Sequence, residues 1–446
     1  MPEMYGKDIY ICYFTLGCKV NQCETENIRQ LLTAYGCKTA LSAEKADICV
    51  VNSCTVTGKA DKKCRQLLHR IKKLSPKCGI VLTGCLPQTA KEKAREMFDS
   101  GSCDVVIGNT GTRLTAEAVM RYARSGERTF DIKPHTRHEA FDDFINSEFT
   151  QKTRAYLKIQ DGCDRYCSYC IIPYSRGDIR SKPIDSIIHD ARLLAANGHI
   201  EIVLTGINLC RYGADLDGDI RLVDAVEAVC SVDGIERVRL GSIEPELISD
   251  SDIERLAHLE KLCPHFHLSL QSGCDKTLKA MNRHYTTAQY AELAAKLRSA
   301  FPDCAITTDV MVGFAGETEE DHRQSVEFVK SMGFARVHIF PYSVRSGTAA
   351  EKMAGHIPEE IKHRRASEMD EVCRKTSHEF LSNMVGKRVK VLFEKENCTT
   401  FHNGYSENYT HIKIIRKNPQ KSLRKQTFYV IINSVGTDFC LGEICD

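Results

Sequence analysis

No apolar run in the sequence approaches the roughly 18–20 residues that a membrane-spanning helix needs. The N-terminus, MPEMYGKDIYICYF, lacks a basic segment followed by an apolar core. No secretory signal and no membrane partner are therefore expected, and the cytoplasm is the expected compartment. Net charge is also scarce: 61 Lys and Arg nearly cancel 59 Asp and Glu, leaving +2. That excludes a global basic field, so any RNA partner must be met by local basic patches. What the chain has in abundance is cysteine, 22 in 446 residues. Without a secretory signal, metal or cluster ligation is expected ahead of disulfides. Many of these thiols need only a packing role: Cys12, Cys49 and Cys304 lie in apolar, strand-like runs, where cysteine behaves as a small hydrophobe.

Length alone suggests two to four domains of roughly 100–200 residues, and composition changes mark three blocks. Residues 1–140 alternate short apolar runs (IYICYFT, DICVVNS, GIVLTG, CDVVIG) with amphipathic stretches such as ETENIRQLLTAYG. This predicts a flavodoxin-like α/β domain with a parallel sheet. A polar stretch, HTRHEAFDDFINSEFTQKTR, reads as a linker. Residues 152–380 alternate again, with strands predicted at AYLKIQ, HIEIVLTG, RVRLGS, HFHLSL, AITTDVMVG and ARVHIFPYS. Six βα units predict an open (βα)6 partial TIM barrel with its site at the strand C-termini. Residues 382–446 carry short strands separated by turn residues and predict a small antiparallel β-barrel. Residues 381–446 hold ten Lys or Arg against six Asp or Glu, with Tyr405, Tyr409, Lys413, Arg416 and Lys417 interleaved. That pattern fits an RNA-contacting module and equally a solvated β-surface.

The sharpest local signal is QDGCDRYCSYC, where Cys163, Cys167 and Cys170 form CxxxCxxC directly after the strand AYLKIQ. Thiolates are soft ligands suited to iron–sulfur clusters or zinc. Closed structural zinc sites take four ligands, and no fourth lies nearby. Three cysteines can hold three irons of a 4Fe-4S cluster and leave the fourth open to a small molecule; a zinc knuckle or packed thiols are the alternatives. A second trio is spread out. TLGCKVNQCETE carries Cys18, VVNSCTVT carries Cys54 and VLTGCLPQ carries Cys85, spaced by 36 and 31 residues. Each follows a predicted strand. Loops at successive strand ends of a parallel sheet gather at one edge, so these three thiols either converge on a second open-sited cluster or are unrelated loop cysteines.

CxxxCxxC with an aromatic residue, Tyr169, before its last cysteine resembles the radical S-adenosylmethionine (SAM) superfamily signature. The resemblance implies that the open iron chelates SAM and that one-electron cleavage of SAM yields a hydrogen-abstracting 5′-deoxyadenosyl radical. It also implies SAM contacts along the barrel. EIVLTGIN (Thr205, Gly206) would meet the methionyl amine, and LGSIEP (Ser242, Glu244) ribose or amine. LSLQSG (Ser269, Gln271) ends the fourth strand, and DVMVGFAGET (Asp309, Val312, Gly313) would lie along adenine.

With the N-terminal trio and the C-terminal block, nearly the whole chain is similar to the methylthiotransferase family, whose last domain is called TRAM. PYSVRSGTAA and GYSENYTHIKI also resemble family segments. LGCKVNQ resembles the branch acting on N6-threonylcarbamoyladenosine at tRNA position 37; the isopentenyladenosine branch reads YGCQMN and the ribosomal-protein branch LGCPKN. The chain departs from its branch at Cys23, where tyrosine is frequent; Cys23 reads as a helix-face thiol.

The resemblance implies two 4Fe-4S clusters, SAM, a tRNA anticodon stem-loop as substrate and a flavodoxin- or ferredoxin-like electron donor. It implies methylthio insertion at carbon 2 of the adenine ring, an inert C–H position that acid–base or nucleophilic catalysis reaches poorly. A threonyl carboxylate would attract Arg or Lys. Arg176 and Arg180 are candidates, or else they pair with Asp178 or Asp185. Rival readings are the same chemistry on isopentenyladenosine or a ribosomal protein, and a non-catalytic zinc-containing RNA-binding protein. KPHTRH, before the linker, has no assigned role.

Overall fold

The structure is a computed structural model and describes residues 8–144, 152–395, 399–416, 418 and 422–445. Part of the expected linker, residues 145–151, and Lys417 lie outside the described residues.

The N-terminal block forms one six-stranded sheet: β1 (Tyr10–Thr15), β2 (Lys38–Thr39), β3 (Ile48–Ser53), β4 (Gly79–Gly84), β5 (Val105–Ile107) and β6 (Thr129–Asp131). Its order is β2-β1-β3-β4-β5-β6, and every neighbouring pair is parallel. β3 and β4 are buried at every residue, as expected of parallel strands covered on both faces. Alternation splits them between two cores. Cys49, Val51, Ile80 and Leu82 pack with Leu68, Ile71 and Met97. Val50 and Val81 pack with Ile28, Leu32 and Val119 on the other side. Cys49 and Cys12 thus act as small hydrophobes.

Next come β7 (Ala155–Lys158) and a short hairpin pair, β8 (Gln160–Asp161) and β9 (Arg180–Ser181), joined in antiparallel register Gln160 to Ser181. β10 (Glu201–Thr205), β11 (Arg237–Leu240), β12 (Ser242–Ile243), β13 (His265–Leu268), β14 (Ala305–Val312) and β15 (Arg336–Pro341) follow. They align as β11-β10-β7 and β12-β13-β14-β15. β10–β11, β12–β13, β13–β14 and β14–β15 are parallel. All six anticipated barrel strands are present. The third is broken at Gly241, which separates β11 from β12 and donates its N–H to Leu204 O at 2.9 Å.

The C-terminal strands β16 (Arg388–Phe393), β17 (Phe401–Ser406), β18 (His411–Ile415), β19 (Thr427–Val435) and β20 (Cys440–Cys445) close into a barrel ordered β16-β17-β18-β20-β19. Four of the five pairings are antiparallel; β18 and β20 run parallel. Val391, Phe393, Ile412, Val430 and Ile432 fill its core, with Leu381 and Met384 from the preceding chain.

The described residues form two compact units. One comprises Met1–Asn146, Lys158–Lys182 and Ser343–Glu351; the other comprises Ser147–Leu157, Pro183–Tyr342 and Lys352–Asp446. The CxxxCxxC loop thus belongs to the same unit as the N-terminal sheet. In the second unit the C-terminal barrel is tied to the βα strands through buried arginines. Arg237 donates to Tyr405 O at 3.1 Å and Arg239 to Glu407 O at 2.8 Å. Both also face the buried Glu201 carboxylate, at 3.4 and 2.9 Å. Burial works against the charge of Glu201, but Arg239 and Arg237 hold its carboxyl below the ordinary value.

Two of the interleaved tyrosines, read as RNA-contacting or equally as solvated β-surface, are engaged within the protein. The Tyr405 and Tyr409 rings stack on each other at 4.7 Å. Tyr409 lies 4.9 Å from the His265 ring and under the guanidiniums of Arg154 and Arg239, at 4.9 and 4.6 Å. Both residues are half-buried against these partners. Lys413 lies over Phe439. Among the described residues no helix is long and apolar enough to cross a membrane.

Candidate active site

The first trio follows directly from strand order. β1, β3 and β4 are adjacent and parallel, so their C-termini share one edge. Ser53 pairs with Gly84 in register, which sets Cys54 and Cys85 side by side one residue later. Cys18 caps the helix Lys19–Ala34, and Cys85 opens the short helix Cys85–Thr89. Gly17 has φ +100, and a Cβ there would stand 2.6 Å from Cys54 Cβ and 2.8 Å from its Sγ. Only glycine lets the two loops come this close. Burial, with Cys85 and Cys18 as neighbouring thiols, pushes the Cys54 thiol up to about 11, while Arg176 opposes the shift. Cys54 and Cys85 are 6% and 2% exposed; Cys18 is open to solvent. Three soft donors within mutual electrostatic reach at one sheet edge fit a cluster with one position left vacant. Cys23 is fully buried on the helix Lys19–Ala34.

The second trio sits on the loop between β8 and the short helix Ile172–Arg176. The Cys163 N–H donates to Gly177 O at 3.1 Å, and the Cys170 N–H to Cys167 O at 2.9 Å. Gly162, at φ +73, lies so close to Asp178 that a Cβ would reach its carbonyl oxygen. All three cysteines and Tyr169 are partly exposed. That donor set also fits a cluster with one open position.

A charged network lies beneath both trios, within the same compact unit. Arg176, 1% exposed, donates to Glu24, to both oxygens of Asp161 (3.2 and 3.1 Å) and to Asn21 Oδ1 (2.7 Å). Lys158 pairs with Glu24 at 3.0 Å and Asp161 at 2.6 Å. Arg180 reaches Glu139 at 3.4 Å, Asp161 at 3.6 Å and the Asp178 carbonyl at 3.2 Å. Burial opposes ionisation of Asp161 and Glu24, but Lys158 and Arg176 hold both carboxyls below their usual range.

This corrects the expectation that Arg176 and Arg180 read a substrate carboxylate. Both guanidiniums are buried and committed to carboxylates of the protein, though not to Asp185 and, for Asp178, only to its backbone oxygen. It also gives the KPHTRH segment a place. His135 bonds Glu139 at 2.7 Å, Asn109 Oδ1 at 3.0 Å and Ser175 O at 3.1 Å.

In the second unit the anticipated SAM-contacting residues lie at or just beyond strand C-termini, except Asp309, which lies within β14. Thr205 ends β10 and is buried, with Gly206 next to it. Ser242 and Ser269 hydroxyls are 3.5 Å apart. Glu244 is held by Arg283, whose Nη1 donates at 3.2 Å and whose other nitrogen reaches Ser269 O at 3.2 Å. Gln271, at φ +67, bridges to β14: its N–H donates to Asp309 O and its carbonyl accepts from Met311 N–H, both at 2.8 Å. Asp309 faces His267 at 3.3 Å, and donor atoms of Asp309, His267 and His338 lie within 4.8 Å of one another. Val312 ends β14, with its carbonyl accepting from Tyr342 N–H at 2.9 Å. At Gly313 (φ +70) a Cβ would strike Lys362, and its N–H donates to Glu317 at 2.9 Å. Arg283, His267 and His338 escaped the sequence reading. The two histidines were signalled by the polar alternation along HFHL and RVHIF, read there only as strand; Arg283 lies outside both runs.

A family model described as the radical SAM superfamily matches residues 157–329, and one described as uncharacterized protein family UPF0004 matches residues 10–108. Threonylcarbamoyladenosine tRNA methylthiotransferase MtaB of Bacillus subtilis (strain 168) is 34% identical over 420 residues, covering 93% of this chain and 92% of its own. The chain belongs to the radical SAM methylthiotransferase family. The MtaB protein of Thermotoga maritima is 35% identical, over 89% of each chain. A tRNA-2-methylthio-N(6)-dimethylallyladenosine synthase of Thermoanaerobacter sp. (strain X514) is 34% identical, over 88% of this chain and 83% of its own. Among solved structures, the radical SAM methyltransferase TsrM of Kitasatospora setae, with cobalamin and a [4Fe-4S] cluster bound, shares the fold. Its TM-score is 0.57 at 12% identity, covering 88% of this chain and 82% of that one. This methylthiotransferase is therefore an enzyme built on a radical SAM fold, and the iron–sulfur cluster and SAM belong with that fold.

Proposed function

We propose that this enzyme modifies tRNA, inserting sulfur at carbon 2 of N6-threonylcarbamoyladenosine at position 37 of the anticodon stem-loop and methylating it to 2-methylthio-N6-threonylcarbamoyladenosine. The observation that carries the reading is the gathering of Cys18, Cys54 and Cys85 at one sheet edge, in the unit that also holds Cys163, Cys167 and Cys170. In this reading each trio holds a 4Fe-4S cluster, the second of them binding SAM. When bound, these groups supply one-electron cleavage of SAM and a sulfur source, which an unactivated aromatic C–H bond requires.

The chain's own residues bind and orient. Tyr169, Thr205, Gly206, Ser242, Glu244, Gln271, Asp309, Val312 and Gly313 would line SAM, with Arg283 fixing Glu244. Division of the work follows 1–140, 152–380 and 382–446, the last gripping RNA. The electron donor is flavodoxin- or ferredoxin-like, and the setting cytoplasmic. LGCKVNQ and relatives bearing the threonylcarbamoyladenosine name support the substrate; a dimethylallyladenosine synthase at 34% identity makes isopentenyladenosine the second reading.

The test is mass spectrometry of bulk tRNA nucleosides from cells with and without the protein. Methylthio-threonylcarbamoyladenosine should appear only with it. An unchanged level overturns the reading, and a change in methylthio-isopentenyladenosine instead installs the second. Anaerobic reconstitution should yield about eight irons per chain.

A further inference from the structure

The short helix Ile172–Arg176 lies just beyond the CxxxCxxC loop in sequence, yet its contacts run to the other trio. Arg176 Nη2 donates to Asn21 Oδ1 at 2.7 Å. The Asn21 amide in turn donates to Leu16 O, on the Cys18 loop, and to Ser53 O, directly before Cys54, each at 2.9 Å. The Cys18 thiol also points at Asn21 Oδ1, at 3.6 Å. From the neighbouring residue, Ser175 O accepts from Asn109 Nδ2 at 3.0 Å, and the same amide lies 3.8 Å from Cys85 Sγ. All three loops of the first trio are thus stitched to one turn of helix. Arg176 is anchored at its other face by Asp161, two residues before Cys163.

We propose that Arg176 is the positioning residue of the Cys18, Cys54 and Cys85 ligand set, fixing the three loops through Asn21 and supplying the buried positive charge that offsets three thiolates. The proposal rests on the reading of that trio as a cluster site. The geometry explains why arginine stands here. A planar fork satisfies Glu24, Asp161 and Asn21 together, whereas a lysine offers one point charge. A buried cation beside a metal–thiolate group stabilises its more negative, reduced form, and so raises its potential.

The test uses the full chain with Cys163, Cys167 and Cys170 all changed to Ser, reconstituted anaerobically with iron and sulfide, so that only the first trio loads. Iron per chain and the midpoint potential followed by electron paramagnetic resonance are compared for Arg176, Arg176→Lys and Arg176→Met. The parent should hold about four irons. Arg176→Met should hold at least two-fold less, with a more negative potential in what remains. Arg176→Lys should also lose iron but keep the parent potential. Equal iron in Arg176→Met and parent, or an unshifted potential in Arg176→Met, overturns the proposal. If Arg176→Met does not fold, parent-level iron in Arg176→Lys overturns it alone. A parent that binds no iron overturns the underlying cluster reading instead.

Discussion

Cys163, Cys167 and Cys170 fall within eight residues of one half-exposed loop, whereas Cys18, Cys54 and Cys85 span 68 residues and come together because β1, β3 and β4 are adjacent and parallel. The local trio is shaped by turns: Gly162 packed on Asp178, and Cys170 N–H on Cys167 O. The dispersed trio is shaped by a buried sheet, and its geometry is only as good as strand register. The difference teaches that a loop motif carries its ligand spacing in sequence, while a sheet-edge site borrows spacing from the fold and needs a brace such as Asn21 and Arg176.

The largest effect that sharpens the contrast is expected from Cys167→Ala, which should abolish 5′-deoxyadenosine formation and product together in anaerobic assays. Cys54→Ala should separate the trios, leaving SAM cleavage intact while methylthiolation stops. Full methylthiolation by Cys54→Ala breaks the comparison. A smaller effect is expected from Gly17→Ala, which places a side chain at φ +100 against Cys54. Urea unfolding of the apoprotein should show a loss of about 1–3 kcal/mol. A stability unchanged from the parent would mean that the Cys18 loop is not pinned to Cys54.

The mildest test is pH. Asp161 and Glu24 are held below their unfolded values, so their contribution is present above about pH 4 and is lost as pH falls through the folded values. Asp161→Asn should lower the urea midpoint at neutral pH and flatten its decline under acid. An equally steep acid decline in that variant would place the titrating brace elsewhere.

The sequence made the strand–helix order and both sets of cysteines legible, because CxxxCxxC is local and each of Cys18, Cys54 and Cys85 follows an apolar run. Arg176 was singled out for the wrong partner. Its carboxylates, Glu24 and Asp161, stand 152 and 15 residues away, and no short-range pattern favoured them over Asp178. Tyr405 and Tyr409 were left between two readings for a related reason. Interleaved aromatic and basic residues look alike whether they face RNA or a neighbouring strand end, and only the fold brings Arg154, Arg239 and His265 against Tyr409. The break at Gly241 and the parallel β18–β20 pairing are properties of closure, which the periodicity of single strands does not encode.

The stack of Tyr409 against His265, Arg154 and Arg239 has a consequence for unfolding. It sets a ring of the C-terminal barrel against Arg154 just ahead of β7, Arg239 in β11 and His265 at the start of β13, so the barrel and the parallel strands of this unit share one seam. A fluctuation that opens the small barrel therefore uncovers charged groups of the strands as well, and the two should come apart together.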